Sequence, residues 1–227
     1  MGKARVIVED VYLIGGPDVS QGEDATSFIV DFGGELVMID AGAGGSSRLL
    51  QQNIEDLGLD PKTISTLILT HNHIDHIGSA SYFRDRFGCK IAMHNLDADA
   101  VEEGDSVRTA ASCYGTFLSP IPVDVRLMGD HEVLRFGEKE LHCLHTPGHT
   151  PGSIVVYLDW RGIRVLFGQD IHGPFLEVFR SDIAKWKDSM RKLLALDADI
   201  LCEGHFGIFK PKENVRRYIE GYLKSHS

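Results

Sequence analysis

Thr70-His71-Asn72-His73-Ile74-Asp75-His76 sets three imidazoles and a carboxylate within six residues, directly after the apolar run Thr66-Leu67-Ile68-Leu69. Such a run reads as a buried strand, so the cluster sits at a rigid edge and not on a free loop. Imidazole and carboxylate together suit zinc, iron, manganese or cobalt, whereas calcium and magnesium prefer oxygen throughout. His71 and His73 are two apart and share a side in an extended segment. Asp75 and His76 reach a second point if the chain bends there. One peptide could therefore serve two metals. The competing reading makes these residues a polar helix start with Asp75 as N-cap before Ile77-Gly78; three histidines so close together count against it.

Four ligands from one stretch rarely close two sites, so the remainder of the chain should supply more. His145-Thr146-Pro147-Gly148-His149-Thr150-Pro151-Gly152-Ser153 combines two prolines and two glycines, a tight turn before the strand-like Ile154-Val155-Val156-Tyr157-Leu158. Leu166-Phe167-Gly168-Gln169-Asp170 puts an acid behind the apolar run Ile163 to Phe167, and Ile200-Leu201-Cys202-Glu203-Gly204-His205 repeats the arrangement with a histidine. Each candidate ligand follows an apolar run, which would gather several strand ends at one mouth of a sheet.

With these stretches in view, the sequence resembles the metallo-β-lactamase-fold superfamily over nearly its whole length. The pattern His-X-His-X-Asp-His stands as His71, His73, Asp75 and His76, the later ligands match His149, Asp170 and His205, and Met38-Ile39-Asp40-Ala41-Gly42 matches the strand and turn ahead of the motif. The resemblance implies an α+β fold, a four-layer αβ/βα sandwich of two mixed sheets flanked by helices. It implies a first metal site of His71, His73 and His149, a second of Asp75, His76 and His205, and Asp170 as the bridge. The superfamily spans thioesters, lactones, β-lactams, phosphodiesters and some redox reactions, so the substrate has to be argued from the site itself.

Composition agrees with a single globular domain over residues 1–227: 43% of the residues are apolar and 25% charged. The formal charge of −10 disfavours nonspecific nucleic-acid binding, which needs clustered Lys and Arg. Cys89, Cys113, Cys143 and Cys202 lack Cys-X-X-Cys spacing and read mostly as small buried hydrophobes in a reducing compartment. No stretch has the length of a membrane span and the start lacks the apolar segment of a secretion signal, so a cytoplasmic location is expected.

In chain order, Arg5 to Ile14 suggests one long or two short strands, and Thr26 to Val30 a hairpin with Glu35 to Ile39. The glycine-rich turn after Asp40 lacks the Gly-Lys-Ser and Gly-X-Gly-X-X-Gly forms of phosphate-binding loops. Asp40 is read as accepting the distal N–H of a metal-bound histidine, with a turn-capping aspartate as the rival. Ser46 to Leu57 has an apolar stripe of Leu49, Leu50, Ile54 and Leu57, with Ser46 or Ser47 as cap. Ser79 to Phe87 is a second helix ended by Gly88, and Lys90 to Met93 a strand. His94, isolated behind that strand, reads as structural. Residues 95–130 lack clear periodicity beyond a short acidic helix at Asn95 to Val101; in relatives this region covers the cleft, and Tyr114, Phe117 and Leu118 are the expected contacts of an apolar or amphipathic substrate, with simple packing of the cap as the rival. Short strands follow at 133–136, 141–144, 154–158 and 163–167, then helices at 182–196 and 212–224. His142 and His145 are poorer ligand candidates than His149. His172 departs from the small or hydroxyl residue common after the bridging aspartate in hydrolases of this fold and is expected to touch substrate or act as an acid, with a purely local hydrogen bond as the rival.

The chemistry expected is hydrolysis of a small-molecule ester, lactone or thioester by a metal-bridging hydroxide on two divalent ions, zinc foremost with iron or manganese as alternatives. Asp75 and Asp170 are the catalytic carboxylates in this reading. Rival readings are a mononuclear-iron sulfur dioxygenase using His71, His149 and Asp170, a phosphodiesterase, and a catalytically silent metal-stabilised binding protein. The expected partner is a small molecule, with neither nucleic acid nor membrane; an exposed apolar cap or helix would also suit a homodimer.

Overall fold

Apolar runs alternating with short amphipathic helices build the first half of the chain around one sheet. In the computed structural model, which describes residues 2–226, the strands are β1 (Arg5–Val8), β2 (Val11–Gly15), β3 (Ser27–Asp31), β4 (Leu36–Ile39), β5 (Ile64–Ile68), β6 (Lys90–His94) and β7 (Val125–Leu127), side by side in that order. The first four run antiparallel, and β4 to β7 run parallel. Parallel neighbours need crossovers. Helix α1 (Ser47–Asp56) lies between β4 and β5, α2 (Ile74–Ile77) and α3 (Ala80–Phe87) between β5 and β6, and α4 (Asn95–Glu102) between β6 and β7. Leu50 and Ile54 of α1, Ile77 of α2 and Phe83 of α3 close a core with Met38, Leu67, Ile91 and Met93 from the strands.

The second half forms its own sheet, in the order β13-β12-β11-β10-β9-β8. Its strands are β8 (His131–Phe136), β9 (Lys139–His145), β10 (Ile154–Trp160), β11 (Ile163–Phe167), β12 (Ile200–Glu203) and β13 (Gly207–Phe209). Only β11 and β12 pair in parallel, and their crossover carries helix α5 (Ile183–Leu196). Trp186, Met190 and Leu193 of α5 pack with Val155, Leu166 and Leu201 of the sheet, and with Val215 and Ile219 of the last helix, α6 (Lys212–Ser225). Two mixed sheets with attendant helices make an α+β protein, and the chain divides into two compact units between Leu127 and Met128. Among the described residues no helix is long and apolar enough to cross a membrane.

Register places the chemistry. Ile39 pairs with Ile68, and Ile68 with Ala92, so Asp40 and Thr70 leave the sheet at the carboxyl ends of adjacent strands. In the second unit Phe167 pairs with Cys202, which puts Asp170 and His205 each three residues beyond that level pair. Val156 also pairs with Phe167, and the turn before β10 accordingly lies at the same end of this sheet.

Several local expectations shift. Of the two readings of Arg5 to Ile14 the two short strands hold, with Asp10 at φ 67° between them. Ser46 precedes α1 but makes no side-chain cap; its hydroxyl donates instead to the buried Asp24 carboxylate. His73, and not Asp75, occupies the cap position of α2. The β10/β11 hairpin turns on Arg161-Gly162 alone, both at positive φ as a tight two-residue loop requires, so the strands run on to the Trp160–Ile163 pair. The three-residue strands β7 and β13 were too short to show a period. Cys89, Cys143 and Cys202 are buried and Cys113 is exposed, all as free thiols.

Two measurements bear on this packing. Phe83 is fully buried whereas Phe117 is 77% exposed, so Phe83→Ala should lower unfolding free energy by about 3–5 kcal/mol and Phe117→Ala by under about 0.5 kcal/mol, read by urea titration. Burial pushes the Cys89 thiol up to about 11 and the Cys143 thiol up to about 12, and also raises Cys202. These groups stay protonated at pH 8, so a disulfide reagent should titrate about one thiol per folded chain, Cys113, and all four after unfolding.

Candidate metal centre

In the first unit the cluster is organised by Asp40. Its Oδ1 accepts the Thr70 amide at 2.8 Å, and its Oδ2 accepts the Thr70 hydroxyl at 2.8 Å and His76 Nδ1 at 2.7 Å. The single hydroxyl proton of Thr70 is thus committed to Asp40. Thr70 Oγ1 lies 3.2 Å from His71 Nδ1, so the imidazole is the donor in that contact. Both rings therefore carry their proton on Nδ1 and keep the Nε2 lone pair for a ligand. The rings of His71 and His73 meet edge to face at 4.7 Å, those of His71 and His76 lie 4.1 Å apart, and Asp75 Oδ2 stands 3.9 Å from His76 Nε2.

The loop behind the cluster is fixed from two directions. Ala41 N donates to His76 O, and Gly78 N to Gly42 O. Gly78 is required by space: a Cβ there would stand 2.2 Å from the carbonyl carbon of Ala43. Asp24, wholly buried, accepts from the hydroxyls of Ser20 and Ser46 and from the amides of Gln21 and Ala43. Nothing in the polar 17–25 stretch marked this aspartate in the sequence.

The second unit presents His149, Asp170 and His205. His149 sits in the turn before β10, where Thr146 N donates to Ser153 O and Thr150 N to Ser153 Oγ. Helix α5 packs directly on that turn. Gly148, at φ +144°, has no Cβ where one would lie 2.3 Å from Trp186 Cβ, and Ser189 Oγ donates to Pro147 O. His149 Nδ1 is 2.9 Å from Pro174 O; a carbonyl only accepts, so again the proton is on Nδ1 and Nε2 keeps its lone pair. The two oxygens of Asp170 face different rings, Oδ2 at 3.5 Å from His149 Nε2 and Oδ1 at 3.2 Å from His205 Nε2. Two ligand atoms on one tetrahedral or octahedral ion stand roughly 3.0–3.6 Å apart, so both spacings suit coordination; the Asp75–His76 spacing is slightly wider.

Each unit thus carries a His/Asp cluster, and the donor chemistry fits a transition metal. Neutral imidazoles with preset tautomers are what zinc, iron or manganese require, and buried carboxylates supply the compensating charge.

Other expected site residues fall as follows. His172 Nδ1 is 3.1 Å from Glu203 Oε1. Tyr114 and Phe117 are exposed, but Leu118 is 7% exposed and packs in the first unit's core with Val101 and Ile121. His94 caps α4 by accepting the Leu96 amide. His142 stacks on Tyr157 at 4.6 Å, and His145 Nε2 contacts Pro151 O at 2.9 Å. Besides Asp24, sequence reading passed over Thr70 and Glu203, whose roles consist of hydrogen bonds to neighbours and leave no spacing signature.

A model of the metallo-beta-lactamase superfamily matches residues 21–205. The probable metallo-hydrolase YqgX of Bacillus subtilis is 32% identical over 115 residues, covering 51% of this chain and 52% of that protein. Hydroxyacylglutathione hydrolase GloC of Haemophilus influenzae is 34% identical over 112 residues, covering 49% of this chain and 50% of that protein. The chain spans about half the length of these two curated relatives. A solved structure, a motif mutant of a metallo-beta-lactamase from Cronobacter sakazakii, superposes with a TM-score of 0.84 over 99% of this chain and 95% of its own at 19% identity, a likeness of fold alone.

The tautomers can be read directly. Long-range proton–nitrogen correlation spectra of metal-free protein near pH 7.5 should show His76 and His149 in the Nδ1–H form, and Asp40→Asn should disturb His76 while leaving His149 in place.

Proposed function

The chain belongs to the metallo-beta-lactamase superfamily, and from that premise we propose that it is a metal-dependent hydrolase of a small-molecule ester, lactone or thioester. The reading assigns His71, His73, His149 and Asp170 to one ion and Asp75, His76, Asp170 and His205 to another. One observation supports it most strongly: Asp170 turns its two oxygens toward two different histidines, so that it would be able to serve two ions at once. Zinc suits the set best, with iron or manganese as the alternatives.

A pair of divalent ions supplies Lewis acidity and makes water nucleophilic at neutral pH. The protein's own groups do the rest. Asp40 and Thr70 hold the rings of His71 and His76 by their Nδ1 protons, and the Pro174 carbonyl holds that of His149. Fixed rings keep the ligand geometry constant through turnover. Asp75 accepts the hydrogen bond of the attacking water and so orients it toward the substrate carbonyl. Tyr114 and Phe117, both exposed, offer aromatic surface to an apolar substrate part, and His172 offers a polar contact.

Elemental analysis of the purified protein should return close to two divalent ions per chain. A chelator should abolish turnover across a panel of thioesters, lactones and esters, and added zinc should restore it. Asp170→Ala should reduce metal content and turnover together, whereas Asp40→Asn should weaken metal affinity or activity by about 10–100-fold. Hydrolysis that persists after complete metal removal, or full metal loading with no turnover on any of the panel, would refute the proposal.

A further inference from the structure

Glu203 closes β12 with its side chain fully buried. Its Oε2 accepts the amides of His205 and Phe206 at 2.7 and 2.8 Å, and its Oε1 takes His172 Nδ1 at 3.1 Å. A carboxylate tied down by two backbone amides cannot swing away, so it presents a fixed acceptor to the imidazole. The ring of His172 is also held edge to face by His205 at 5.2 Å and by Phe206 at 4.7 Å. With Nδ1 as donor to Glu203, the neutral ring offers Nε2 as an acceptor, and among the described residues that atom has no partner. Its side chain is 18% exposed. Phe206, 59% exposed beside it, adds an apolar face.

We propose that the Glu203–His172 pair is a specificity device that selects substrates carrying an amide N–H near the scissile bond. The planar amide lies on Phe206 while its N–H donates to His172 Nε2, and Glu203, acting through the ring, is the positioning residue. The proposal rests on the hydrolase reading above. A site organised around a hydrogen bond rejects an analogue that lacks the donor more strongly than an apolar pocket rejects an added methyl, because the fixed acceptor is then left unpaired.

The test uses the metal-loaded full chain with two probes, the acetyl thioester of N-acetylcysteamine and its N-methylated amide counterpart. Wild type should prefer the N–H substrate in kcat/KM. His172→Ala should shrink that preference by about tenfold, chiefly through KM for the N–H probe, whatever loss the two probes share. His172→Gln, which returns an acceptor, should recover part of the preference, and Glu203→Gln should move the ratio in the same direction as His172→Ala. Metal content and circular dichroism on each variant separate loss of the fold from loss of selection. A preference that His172→Ala leaves unchanged, or a wild type that treats both probes alike, overturns the specificity proposal alone. A loaded wild type that hydrolyses neither probe, nor any other ester or lactone, overturns it together with the hydrolase reading.

Discussion

The arrangement of the first unit depends on one buried carboxylate. Asp40 gathers the amide and hydroxyl of Thr70 and the Nδ1 of His76, and through Thr70 it also sets the proton of His71. It follows β4 directly and adopts φ 56°, a backbone state that aspartate tolerates better than most residues. Parallel pairing of β4 with β5 brings it beside Thr70 although thirty residues separate them in the chain. A sheet register is thereby converted into a choice of tautomer. Were the carboxylate missing, two buried rings would be free to place their protons on the wrong nitrogen, which is a far larger disturbance than one lost hydrogen bond.

The second unit reaches a similar result by packing. His149 is placed by a turn that helix α5 presses against, and the space left by Gly148 lets the helix backbone come close enough to hold it. Asp170 and His205 follow parallel strands whose ends are level. These candidate ligands come from three separate stretches, and two of them are fixed by a neighbour that lies close in space: Pro174 for the His149 ring, and Glu203 for the backbone of the loop that bears His205. The two units therefore use different means, a charged hub in one and backbone acceptors with tight helix contact in the other.

Much of this could be read in the sequence because ligand type and strand pattern coincide. His71, His73, Asp75 and His76 stand out by spacing alone, and the apolar runs before Asp40, Asp170 and His205 mark them as strand-end residues. The helix ended by Gly88 is equally legible, with that glycine at φ 76°. What escaped notice has a common character. Asp24, Thr70 and Glu203 act through hydrogen bonds to atoms brought near only by folding, and a single acid or hydroxyl in a polar stretch looks like many others. Ser46 illustrates the point: it has the identity and position of a helix cap, but Asp24 competes for its hydroxyl. Leu118 shows the converse, an apolar residue in an irregular stretch that could as well face solvent as the core until Val101 and Ile121 are seen around it.

The order of the candidate ligands along the chain has a consequence for biosynthesis. Four of the seven are contained in residues 71–76, on a unit whose sheet ends at Leu127, whereas the last stands at His205. With translation at roughly 5–20 residues per second, the interval between them lasts on the order of 6–26 seconds on the ribosome. During that interval His149, Asp170 and His205 are still unmade, while Asp40 and Thr70, which lie on adjacent strand ends in the finished fold, already belong to the part synthesised first. The grouping in residues 71–76 is therefore complete well before Asp170 and His205 exist, and a centre that drew on all seven could be finished only after residue 205 had been made.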